Sequence, residues 1–154
     1  MVTLVLTPDS KSAGNVKFTV DKRTGKDQPT AKGEDILLVQ FCLELIRNSS
    51  APFRGQIPPQ QMNTDAGDGR MVLGIIVFQK QSTFMKQDGF VSPFHSHNIS
   101  STGVFTLSLM QGTLIARNAA ANSVWPRMDK IPGCPGDLAA AIQREIGIGQ
   151  IQVV

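Results

Sequence analysis

Between Glu34 and Arg47 the chain leaves little choice of secondary structure. Ile36, Val39, Leu43 and Ile46 recur at helical spacing, and Leu38, Cys42 and Leu45 widen that stripe. Neither Gly nor Pro interrupts the stretch. Glu34 and Asp35 suit the positive end of a helix dipole and Arg47 suits the negative end. A helix this broadly apolar needs other elements around it, so the rest of the chain is read for what covers it.

Two more helices are predicted to do so. One spans about 70–79, with Val72, Ile75, Ile76 and Phe78 on its apolar side and Asp68 as a candidate N-cap. Gly74 lies inside it at a propensity cost of about 1 kcal/mol, which points to close approach of a neighbouring helix. The other runs from about 102 to 117, with Phe105, Leu109 and Ile115 on or near one face and Leu107, Met110 and Leu114 beside it. A fourth helix is expected from Asp137, as N-cap, to Ile146.

The ends read as strands. Residues 2–7 alternate and are rich in Val, Leu and Thr, residues 15–20 form a second short strand, and Ile148 to Val154 form a closing strand placed beside 2–7. Residues 21–33, 48–68, 86–100 and 118–136 carry the Gly, Pro and polar residues of loops. The fold class expected is mainly α with short β-strands at the termini. It comprises one domain over 1–154: N-terminal strands and loop in 1–33, a helical core in 34–117, and a C-terminal extension with helix and strand in 118–154.

With 154 residues and 41% apolar content, such a domain has enough material for a core. No apolar run approaches the ~20 residues that cross a bilayer. The opening residues lack the basic start, apolar stretch and cleavage site of a signal peptide. That leaves a cytoplasmic protein, or one exported by a non-classical route or within an assembly. The net charge of +3 is mild, and the six basic residues before Glu34 have no interleaved aromatics, so nucleic acid is not an expected partner. Cys42 reads as a buried thiol in a helix and Cys134 as a loop cysteine; they make no disulfide framework.

The order of features resembles the peptidoglycan-binding-like domains, in the longer bacterial variant. The carriers are a leucine-rich first helix with Val39-Gln40, a loop ending in Asp68-Gly69, and a second helix closing in Phe78-Gln79. Asp88-Gly89 and a third helix beginning Phe105-Thr106-Leu107-Ser108-Leu109-Met110 follow. Aligned on Phe78-Gln79, the family's helix-starting Gly and Thr correspond to Asp68 and Met71. Covering about 34–117, the resemblance implies three helices around Val39, Leu43, Ile75, Phe78 and Leu109, with Phe78 as aromatic plug and Gln79 as local hydrogen-bonding residue. It also implies a groove between the first two helices, lined by loops 63–69 and 88–98, that contacts cell-wall glycan or peptide.

The chemistry-bearing residues fit binding better than catalysis. His95 and His97 would point to one side of an extended segment, but no third or fourth zinc ligand is near, so no metal is expected. Neither cysteine has an activating context, and no pair of carboxylates is set across a cleft as glycoside hydrolysis requires. Trp125 is weighed as a sugar-stacking face against a plug under the 118–136 loop. The candidate ligand-binding residues are therefore Asp65, Asp68, Asp88, His95, His97 and Trp125, with no catalytic residue, metal or cofactor. The expected function is a non-catalytic binding module. The alternative is a structural or assembly protein of a virion, phage tail or secretion apparatus, joined to its neighbours by edge addition at the terminal strands.

Overall fold

The predicted first helix, α1 (Glu34–Ser49), lies at the centre of a computed structural model that describes residues 1–6, 16–26, 33–63, 69–81, 87–94 and 106–149. Its burial is wider than an amphipathic stripe: Leu37 and Phe41 are covered together with Ile36, Leu38, Val39, Cys42, Leu43, Leu45 and Ile46. A helix apolar on nearly all sides is a core helix. Gly33 precedes it at φ 59°, a left-handed conformation that suits glycine, and its carbonyl accepts from Leu37 N–H to close the first turn.

Around α1 pack α2 (Ala51–Gln56), α3 (Gly69–Lys80), α4 (Thr106–Arg117) and α6 (Gly136–Gly149), with α5 (Ala119–Val124) and a 3₁₀ turn at Met128–Lys130 between the last two. The chain is mainly helical with a few short strands, as its patterning predicts. Helix α2 and the α5–3₁₀ segment fall in stretches expected to be irregular. Pro52 sits in the first turn of α2, where its missing N–H would have been unpaired anyway. Asn118 caps α5, its side chain accepting from Ala121 N–H at 2.9 Å.

The third predicted helix is present, but its inward face is rotated from the expected one. Leu107, Met110, Gln111 and Leu114 are buried, whereas Leu109 and Ile115 are only half-buried; Phe105 lies outside the described residues. On α3, Gly74 does mark a close approach. A Cβ there would stand 3.0 Å from Leu43 Cδ1 of α1 and 3.2 Å from Gln60 Nε2.

Strands β1 (Thr3–Leu6) and β2 (Val16–Thr19) pair antiparallel, with Leu4 opposite Phe18 and Leu6 opposite Val16. A second two-stranded sheet joins β3 (Thr24–Gly25) to β4 (Phe90–Val91). The expected closing strand is corrected in part. Ile148 belongs to α6, which continues to Gly149, and residues 150–154 lie outside the described residues. Helix α6 also begins at Gly136, so Asp137 sits in its first turn rather than at its cap.

Both outer edges of the β1–β2 ribbon are occupied by side chains. Along β1, Val2 N–H donates to Glu34 Oε1 at 2.7 Å, Leu4 N–H donates to Glu145 Oε1, and Arg144 donates to the Val2 carbonyl. On β2, Trp125 Nε1–H donates to the Val16 carbonyl and the Gln111 amide takes both peptide groups of Phe18. These bonds occupy Val2, the Leu4 N–H, Phe18 and the Val16 carbonyl, which leaves less of each edge open to a further strand.

Candidate functional site

Two phenylalanines set the floor of a groove. Helix α2 presents Phe53 to Phe78 near the end of α3, their rings stacked with centroids 6.2 Å apart and 29° between planes. Both are buried, so they offer apolar edges rather than open ring faces. Leu109 of α4 completes the floor. Because α4 turns Leu107, Met110 and Leu114 inward, it leaves Leu109, Gly112, Thr113, Ala116 and Arg117 along one outer face, at helical spacing. These residues, with Gln81 after α3, enclose a half-open cavity of about 430 Å³. That volume falls in the range of ligand sites, which are typically apolar with a few polar groups.

The end of α3 is held where it is by Gln79. Its Nε2 donates to Asp88 Oδ1 at 2.9 Å, the Phe90 carbonyl at 3.1 Å and Thr106 Oγ1 at 3.2 Å, and its Oε1 accepts from Gly89 N–H at 3.0 Å. A single buried amide therefore ties α3 to the 88–90 turn and to the start of α4. Phe78 and Gln79 act as plug and local hydrogen-bonding residue, as expected of that pair.

The polar groups of the groove are few. Thr113 Oγ1 donates back to the Leu109 carbonyl at 2.9 Å. Gln81 and Arg117 are exposed at the rim. Lys17 of β2 reaches along α4: its Nζ donates to Ser108 Oγ at 3.2 Å and lies 4.0 Å from where a Cβ on Gly112 would stand. Partial burial lowers its pKa from the usual lysine value.

Of the sequence-predicted site residues, Asp88 and Trp125 are described, and neither lines the groove. Asp88 is half-buried and accepts from Gln79 and from Phe90 N–H, which gives it a turn-forming role. Trp125, weighed as a sugar contact, is instead the plug: it is 5% exposed, edge-on to Phe18 with centroids 6.3 Å apart, with its indole N–H committed to Val16. A ring so enclosed has no free face for a sugar. Asp65, Asp68, His95 and His97 lie outside the described residues. The groove is also displaced from the expected position between the first two predicted helices. Those helices meet tightly at Gly74, and the opening lies between α2, α3 and α4.

Both cysteines hold their protons firmly. Burial pushes the Cys42 thiol well above its ordinary range and the Cys134 thiol up to about 12, so neither is a ready thiolate. Among the described residues, no group of three or more His, Cys, Asp or Glu is placed to hold a metal ion. Among the helices of those residues, none is long and apolar enough to cross a membrane.

Sequence reading missed Gly112, Ala116 and Arg117. The available signal was the outer face of α4, where small residues and one cation replace the long polar side chains usual on a solvent face. Comparison with family models, curated proteins and solved structures finds no match to this chain.

Proposed function

We propose that this chain is a non-catalytic binding module that takes cell-wall peptide into the groove between α2, α3 and α4. The observation that carries the reading is the groove itself: about 430 Å³, floored by Phe53, Phe78 and Leu109, with Arg117 and Gln81 at its rim. The likeness to peptidoglycan-binding-like domains adds support. Helices α1 and α3 pack together, α1 and α4 pack together, Phe78 stacks on Phe53 and Gln79 donates to Asp88, an arrangement in keeping with that likeness. Peptide fits better than glycan, because the one tryptophan is enclosed and the groove's two aromatic rings are turned into the core.

The alternative, a subunit of a virion, tail or secretion assembly, rests in part on edge addition at the terminal strands; side chains bond the backbone of β1 and β2 at Val2, Phe18 and Val16, which disfavours addition at those positions.

Retention on purified cell-wall sacculi tests the reading. The protein should be retained above an inert control. Gly112→Met, which fills the groove from an open position on α4, should abolish retention while the chain stays folded. Retention no better than the control, or unchanged by Gly112→Met, overturns the proposal.

A further inference from the structure

We infer that the β3–β4 ribbon, with the outer face of α3 beside it, binds single-stranded nucleic acid: Arg23, seated on the Phe90 ring, stacks on a base, while Lys22, Lys26 and Lys80 meet the phosphates on either side. None of these residues lines the groove between α2, α3 and α4, so the inference stands apart from the reading of that groove.

The basic residues before Glu34 have no aromatic among them in the sequence, and the fold supplies one from 67 residues further along the chain than Arg23. In the antiparallel pairing Thr24 stands opposite Val91 and Gly25 opposite Phe90. Thr24 and Val91 are fully buried, so they face the core, and alternation puts Arg23, Gly25 and Phe90 on the other face. Arg23 is there the diagonal neighbour of Phe90, and its Cζ lies over the ring at 5.2 Å from the centroid. Lys26 and α3 extend this surface. Lys26 N–H donates to the Gly89 carbonyl at 2.9 Å. The Lys26 Cβ and the Ile76 side chain come within 3.2 and 3.4 Å of the point that a Cβ on Gly89 would occupy, so Lys26 lies beside Ile76. Lys80 follows Ile76 one turn along the same face of α3. Lys22, Arg23, Lys26 and Lys80 are all exposed, and Phe90 is half-buried. Two carboxylates of these segments are engaged: Asp21 by the Met1 ammonium, and Asp88 by Gln79 and the Phe90 N–H.

A guanidinium backed by an aromatic ring is a platform for a nucleobase, and single strands offer the open base faces it requires. Cations to either side match the regular charges of the backbone. An anionic bilayer is a poorer match, because it calls for a broad apolar face beneath the cations. Among the described residues of α3, Leu73 is the one large apolar side chain that is exposed.

Fluorescence anisotropy of the full chain with a labelled uridine dodecamer tests this, beside an RNA duplex of the same length and equimolar vesicles of phosphatidylglycerol and phosphatidylcholine. The dodecamer should bind at least about fivefold more tightly than the duplex, whose bases are closed to stacking, and the vesicles should not bind. Its affinity should fall with salt at a log–log slope of about −2 to −3, the scale of three or four phosphate contacts on a single strand. Lys26→Gln and Lys80→Gln should each weaken binding severalfold and make that slope shallower by about 0.7. Arg23→Lys keeps the charge and loses the plane, so it should weaken the dodecamer about fivefold or more with the slope unchanged. Circular dichroism of each variant confirms that it is folded. No binding of the dodecamer, equal affinity for the duplex, binding to the vesicles in its place, or affinities unmoved by Arg23→Lys or by the two lysine variants overturns the inference. Retention on sacculi that Gly112→Met abolishes leaves this surface untouched, so the two readings fail separately.

Discussion

The side-chain amide of Gln111 bonds the backbone of Phe18 as a neighbouring strand would: Oε1 accepts from Phe18 N–H at 2.7 Å and Nε2 donates to its carbonyl at 2.6 Å. The same Nε2 reaches the Leu107 carbonyl one turn back on α4. Gln111 is fully buried, so no water stands ready to replace it.

Gln111→Leu keeps the volume and removes both bonds, stranding two buried peptide groups. Each costs about 1–3 kcal/mol, so the loss should be about 2–6 kcal/mol. Gln111→Glu should also destabilise, because a carboxylate cannot donate to the Phe18 carbonyl. Urea unfolding midpoints measure both; a change below about 0.5 kcal/mol for either would show that the amide does not close the ribbon edge.

Two helical glycines should respond oppositely to alanine. At Gly112 an added Cβ meets only Lys17 Nζ, at 4.0 Å, so Gly112→Ala should gain up to about 1 kcal/mol of helix propensity. At Gly74 the Cβ would crowd Leu43, Gln60 and Ile57 at 3.0–3.4 Å, so Gly74→Ala should lose that gain and more. Thermal unfolding of the two variants side by side reports the difference in sign.

Stability should depend on pH through Asp35. This buried carboxyl in the first turn of α1 pairs with the Met1 ammonium, yet desolvation pushes its pKa up to about 6. The folded state therefore binds the proton more tightly than the unfolded chain does. The contribution is fully present below about pH 4 and is lost as pH rises to about 6, on the order of 3 kcal/mol. Asp129 acts oppositely: its bonds to Arg127 lower its pKa, so its contribution is lost as pH falls below the usual carboxylate range. Unfolding free energies of wild type and Asp35→Asn from pH 4 to 7 isolate the first effect. The difference between them should change across pH 4–6 and then level off.

Trp125 gives an optical check. Its indole should emit as a buried fluorophore, resist quenching by acrylamide, and keep its emission when wall glycan is added. Trp125→Phe, which leaves the Val16 carbonyl unpaired, should cost about 1–3 kcal/mol by urea unfolding.

How much of this was legible in the sequence follows from how local each signal is. Helices α1 and α3 were written in periodic apolar residues, and their bounds fell within a few residues of those found. Helix α2 has six residues and α5 has six, too short for a period to show, and both sit among Pro or polar residues that also make loops. The two-residue strands β3 and β4 have no pattern at all. Ile148 was read as the start of a closing strand, whereas α6 runs on through Gly147 to Gly149. The groove was the least legible part. Phe53, Phe78 and Arg117 are far apart in sequence, and only the packing of α2, α3 and α4 brings them together.

An amide-resolved NMR titration with soluble wall peptide tests the central claim most directly. Shifts should concentrate at Gln81, Leu109, Gly112, Thr113, Ala116 and Arg117, and should vanish in Gly112→Met. Shifts confined to residues 88–98 or to the Trp125 indole N–H, with the α4 face unmoved, would contradict it.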